Sequence, residues 1–185
     1  MKGNHSIISA MTTAGVPRSC WSVSVTGTGR AAYRDFAKES LERNSRKEMQ
    51  VAAYVRYQNL DGVLDVELLA KEFVLAGVAT VHTSFAKLMR DLRLEEANPE
   101  GDHRLSQVYS VGAIVLPNVP FASDYQDTPL MAQYLEAVEY LIGHVYEGGV
   151  LVVGGSHRLN KTDTSKWPPL FTRMILENAK IFEVK

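Results

Sequence analysis

The chain of 185 residues has a single cysteine, Cys20, so it offers neither an intrachain disulfide nor a zinc site built on cysteines. It has no long hydrophobic run: its longest apolar stretches, such as Val150 to Val153, fall far short of the roughly 18–20 residues a membrane-spanning helix needs. The opening MKGNHSIISAMTTAGVPRS holds no apolar segment of secretory length. Neither sign of charge is in excess, with 20 Lys and Arg against 21 Asp and Glu, and no internal repeat is visible. These absences exclude a disulfide-stapled secreted scaffold and a bundle of membrane helices. With 45% hydrophobic and 22% charged residues the composition is that of an ordinary globular domain rather than a disordered chain. The expected location is the cytoplasm, or an assembled particle made there.

The near-neutral total conceals an uneven distribution. Residues 1–46 carry seven basic groups against three acids, residues 47–110 seven against ten, and residues 111–185 six against eight. A basic front on an acidic body suits contact with phosphates or with an acidic protein surface. Arg30, Arg34 and Lys38 are spaced by four and line one stripe of a predicted helix. Its opposite face is Ala32, Tyr33, Phe36, Ala37 and Leu41.

Along the chain, the first nineteen residues read as an arm with one helical turn, followed by a half-exposed strand at Trp21–Val25. Residues 47–58 suit either a helix or a strand. Asp65 is placed to cap a helix over Val66–Leu75, and Thr80 to cap a second, with Val81, Phe85, Leu88, Met89 and Leu92 inward. Leu92–Glu95 and Leu105–Tyr109 pair as a hairpin around the Asn98-Pro99 loop. A strand at 111–116 then precedes a helix opened by Thr128-Pro129, which buries Tyr134, Leu135, Val138, Leu141 and Ile142. Val150–Val153 is an internal strand, and a short helix after Pro168-Pro169 leads to a last strand at 180–184. The expected fold class is mixed α/β (α+β) in one compact unit: a basic arm, strand and helix (1–46), a middle segment (47–110) and a C-terminal α/β lobe (111–185).

The segment DVELLAKEFVLAGVATVHTSFAKLMRDL, residues 65–92, is similar to the winged helix-turn-helix superfamily, the resemblance covering residues 47–110. It implies a recognition helix begun at Thr80-Val81 and a wing made by the hairpin. Thr80, His82, Thr83, Lys87 and Arg90 would then face the major groove or a protein partner, with Arg104 beside the wing. The acids Asp91, Glu95, Glu96, Glu100 and Asp102 in the same stretch favour a protein partner, because phosphate neutralisation supplies most DNA affinity.

Two glycine-rich stretches could bind anions. Gly27-Thr28-Gly29-Arg30-Ala31-Ala32 fits G-x-G-x-x-A between a predicted strand and helix, the order a dinucleotide site requires, although Ser22 and Ser24 make that strand polar. Gly154-Gly155-Ser156-His157-Arg158, with Lys161, follows the internal strand. The five histidines show no ligand spacing, and neither a metal site, a cofactor nor a catalytic group is assigned. The sequence therefore points to a non-enzymatic, nucleic-acid-associated regulatory or adaptor protein. Its interaction residues would be Arg30, Arg34, Lys38, Thr80, His82, Thr83, Lys87, Arg90 and Arg104. Two alternatives stay open: a structural or assembly subunit, as in a virion, that self-associates through its basic segment, and a nucleotide-using enzyme built on residues 27–32.

Overall fold

The computed structural model describes residues 3–23, 31–45, 51–58, 61–97, 112–159 and 166–184. Its five strands are β1 (Val51–Arg56), β2 (Thr80–His82), β3 (Ala113–Leu116), β4 (Val150–Gly155) and β5 (Ala179–Glu183). They form one sheet in the order β2-β3-β4-β1-β5, and every pairing is parallel. Parallel neighbours cannot be joined by a tight turn, so each strand returns through a crossover. The described helices are α1 (Gly3–Thr13), α2 (Ala31–Ser45), α3 (Asp61–Leu75), α4 (Phe85–Ala97), α5 (Met131–Tyr146) and α6 (Pro169–Asn178).

Both faces of the sheet are covered, which is why its central strands are apolar without alternation. Ala53, Val55, Val115 and Val152 pack on one side with Met11 of α1, Phe36 of α2 and Leu69 and Phe73 of α3. Tyr54, Ile114, Leu151 and Val153 pack on the other with Leu88 of α4, Leu141 of α5 and Phe171 of α6. The coarse expectation of a mixed α/β chain holds in this form, as an α/β sandwich with a parallel sheet.

The winged-helix middle does not. Residues 51–56 are the strand β1, buried in the sheet between β4 and β5, where a first helix would stand. Thr80 is not a helix cap: Thr80-Val81-His82 is β2, held in register with Ala113–Val115 of β3. The cap lies at Ser84, whose Oγ accepts a hydrogen bond from the Lys87 backbone N–H at 3.2 Å. Helix α4 then continues through Leu92–Glu95, the residues assigned to a wing strand. Their partner Leu105–Tyr109 lies outside the described residues, as do Val25 and the glycine-rich residues 27–30. The 3.6 periodicity was real, since Phe85, Leu88 and Met89 are buried. It belongs to one crossover helix between β2 and β3 rather than to a helix-turn-helix pair.

The N-terminal segment is an ordered layer against α3. After α1, residues Arg18–Cys20 form a 3-10 turn. The Lys71 ammonium, only 7% exposed, donates to the carbonyl oxygens of Cys20 (3.1 Å), Trp21 (3.0 Å) and Val23 (2.7 Å). The Cys20 thiol donates to Glu67 Oε2 at 3.0 Å, and burial pushes its pKa up to about 11, so it stays protonated.

Two histidines are held neutral by the same physics. His82 donates from Nδ1 to the Gly15 carbonyl at 3.1 Å, and His144 from Nε2 to the Val150 carbonyl at 3.3 Å. Burial pushes both below the ordinary value of 6.5. As pH falls below that value, the unfolded chain takes up protons that the folded one refuses, so stability must decline toward acid. Urea midpoints are expected to be lower at about pH 5.5 than at about pH 7.5, with the difference reduced in His144→Gln. Midpoints independent of pH across this window would show that neither ring is buried.

Candidate functional site

In an open parallel sheet, the crevice outside the strand carboxyl ends, where the strand order reverses, is where ligands bind. Here β1 is followed by a crossover to the far edge strand β2, and β3 and β4 then fill the space back toward β1. The crevice is bounded by the turn from β1 into α3 and by the loops after β3 and β4.

Tyrosines span this crevice. Tyr57, the first residue after β1, donates its backbone N–H to the Gly155 carbonyl of β4 at 3.0 Å. Its phenol reaches past β4 to donate to the Pro117 carbonyl, just beyond β3, at 3.1 Å. Two glycines let other groups come close to the end of β4. A Cβ on Gly154 would lie 2.3 Å from the Pro117 oxygen, and one on Gly155 would lie 2.5 Å from the Tyr54 hydroxyl. Tyr54, wholly buried on β1, donates to the His157 carbonyl at 3.0 Å. Burial raises both phenols, Tyr54 to about 12, so both remain hydrogen-bond donors at neutral pH. At the start of α3, a Cβ on Gly62 would sit 1.9 Å from the Tyr57 Cβ, so the turn closes directly on the tyrosine.

Beside this plugged crevice, Phe121, His157, Arg158, Leu159, Lys166, Trp167 and Thr172 line a shallow cavity of about 10 Å³, room for one water. The His157 and Phe121 rings meet edge to face at 4.2 Å, and the Lys166 ammonium lies 5.6 Å from the Phe121 ring centre. Trp167 donates to the Val119 carbonyl at 3.1 Å, fixing the cavity wall. Among the described residues no group of three His, Cys, Asp or Glu could hold a metal ion, and no helix is long and apolar enough to cross a membrane.

The residues singled out from sequence do not converge. Arg34, on α2, lies 3.4 Å from Glu72, whose carboxylate is 4% exposed, and Lys38 is exposed one turn further on. Thr80 and Thr83 are buried, with Thr80 Oγ1 donating to the Val78 carbonyl at 2.8 Å. Lys87 is ion-paired with Asp91, and Arg90 Nε stands 3.6 Å from the same carboxylate. Helices α2 and α4 cover opposite faces of the sheet. Arg30, Arg104, Lys161 and most of the Gly27–Ala32 stretch lie outside the described residues. The tyrosines at the strand ends were missed. Their signal, an apolar strand followed at once by a turn and a helix with the spacing Tyr57 to Gly62, was hidden while residues 47–58 could equally be helix.

No family model matches the chain, and no curated protein matches it. Solved structures do. The DnaC helicase loader superposes with a TM-score of 0.62 at 14% identity, over 91% of this chain and 100% of that one. A putative primosome component from Streptococcus pyogenes serotype M3 gives 0.58 at 12% identity, over 99% and 97%. The replication initiator DnaA, solved with AMPPCP and single-stranded DNA, gives 0.55 at 13% identity over 88% of this chain, which spans only 48% of the initiator. At these identities the likeness is one of fold alone.

This overturns the winged-helix resemblance and the DNA-reading regulator or adaptor built on it. It also removes the ground for setting nucleotide chemistry aside: the expectation of a non-enzymatic protein is contradicted by a fold shared with a protein solved with AMPPCP. Of the alternatives left open, the nucleotide-using one has the fold behind it. Residues 27–30 of the glycine-rich stretch lie outside the described residues, while the crevice at the strand ends lies by the β1–α3 turn. There the residues present do not fit a triphosphate. The consensus G-x-x-x-x-G-K-[ST] occurs nowhere in the chain, the Tyr57 phenol crosses to Pro117, and Pro117-Asn118 and Ser156-His157 end β3 and β4 without the carboxylate that holds magnesium.

Proposed function

We propose that the protein works in DNA replication as a helicase-loader-like component that docks on a replicative helicase. The observation that carries this reading is the extent of the likeness to the DnaC helicase loader. It runs over the whole of that chain and nearly all of this one. A loader acts by binding another protein, so the expected readout is a complex. Mixed with the hexameric helicase of its own cell, the protein should co-elute in size-exclusion chromatography with a mass raised by whole copies of the chain. A helicase that elutes at its own mass in the presence of excess protein would refute the docking.

Contact with single-stranded DNA is the second part of the reading, supported by the initiator solved on that ligand and by the basic N-terminal quarter. The groups to carry it are Arg30 and Lys38. Arg34 is a poor probe, because its charge compensates the buried Glu72. In Arg30→Glu with Lys38→Glu, fluorescence anisotropy on an oligothymidine should give weaker binding and a salt dependence shallower by about one per lost phosphate contact. Binding equal to the parent's at every salt concentration would exclude this stripe.

A further inference from the structure

The turn between β1 and α3 keeps the spacing of a phosphate loop while inverting its chemistry. With Gly62 as the second glycine of G-x-x-x-x-G-K-[ST], the first glycine is Tyr57, the lysine is Val63 and the hydroxyl residue is Leu64. Such a loop works because small residues leave backbone N–H groups pointing into an open cradle, with a cation to meet the charge. Here a tyrosine takes the place of the first glycine, and two aliphatic residues take the places of the cation and the hydroxyl.

We infer that Tyr57 is a built-in plug: it stands at the position of a phosphate loop's first glycine and ties the end of β1 to the end of β3, so that the crevice is held closed by the chain itself. Three observations converge on this. Tyr57 is bonded at both ends, its N–H to Gly155 and its O–H to Pro117, so it bridges β1, β4 and β3 as a ligand between the three loops would. Gly154 leaves room for the Pro117 carbonyl that accepts the phenol, since a side chain there would strike it. Tyr54 makes a second tie from β1 to the loop after β4.

The inference goes beyond the replication reading and has its own test. Equilibrium dialysis of the intact protein against Mg·ATP and Mg·AMPPCP should show no retained nucleotide, and its melting temperature should not move at about 1 mM of either. The variant Tyr57→Gly/Val63→Lys/Leu64→Thr, which restores the consensus on the same backbone, should retain Mg·ATP and melt higher in its presence. Retention of nucleotide by the unaltered protein would overturn the plug. So would a folded triple variant that retains none, because the turn would then not be a blocked phosphate loop. If the triple variant does not fold, dialysis of the unaltered protein decides alone. Helicase docking is measured separately, so either idea can fail without the other.

Discussion

Lys71→Ala is expected to lower folding stability by about 3–5 kcal/mol, a large share of what a single domain has. The reason is the number of groups left behind. One buried ammonium satisfies three carbonyl oxygens in succession, those of Cys20, Trp21 and Val23, and so fastens the N-terminal layer to α3. Hydrogen bonds to a charged group are stronger than neutral ones, and an acceptor left buried without a partner bears its whole desolvation cost. Lys71→Met, which keeps the aliphatic stem and deletes the charge, should lose nearly as much, separating hydrogen bonding from packing. Urea denaturation measures both. Hydrogen exchange should show the segment around residues 16–23 opening first, ahead of the sheet. A loss under about 1 kcal/mol in both variants would mean that the ammonium is solvated and the layer is anchored by other contacts.

A comparable effect is expected in α5, at one of the two leucines that the periodicity placed inward and not at the other. Leu141 is wholly buried against the sheet, and Leu141→Ala should cost about 2–5 kcal/mol through lost burial and the cavity it leaves. Leu135, expected to be inward, is 38% exposed, and Leu135→Ala should change stability by less than about 0.5 kcal/mol. Measured under one set of conditions, the pair gives a ratio independent of overall stability. Equal losses would mean that α5 is rotated on the sheet.

Much of the chain could be read from the sequence because periodicity depends on local geometry. The inward faces of α2 and α4, with Tyr33, Phe36, Ala37, Phe85, Leu88 and Met89, are where 3.6 spacing puts them. The strands at 113–116 and 150–155 stand out as continuous apolar runs. What periodicity could not give was pairing. Val51–Arg56 is a short, mostly apolar run that suits a helix or a strand, and only its neighbours in the sheet decide. Once that strand was left undecided, the helices flanking β2 looked consecutive and took on the likeness of a helix-turn-helix. Thr80 is a good capping residue and also a good strand residue. Ser84, four residues on, does the capping, and nothing local distinguishes the two.

The candidate site was hidden for a related reason. Glycine-rich stretches drew the eye to residues 27–32 and 154–158, whereas the crevice is defined by Tyr54 and Tyr57, which alone look like ordinary core aromatics. Their role depends on contacts with Pro117 and His157, 60 and 103 positions away in the chain. Gly154 and Gly155 did signal a close approach, but of the chain's own tyrosines and carbonyls, where an anion had been expected.

The account joins two statements, that the protein docks on a replicative helicase and that its crevice is closed without nucleotide. Mass photometry of the protein with the helicase of its own cell tests both most directly, when run with and without Mg·ATP on a helicase variant that does not itself bind nucleotide. The predicted result is the same complex in both conditions, heavier than the helicase by whole copies of the chain. A complex that forms only with Mg·ATP, or no complex in either condition, would contradict it.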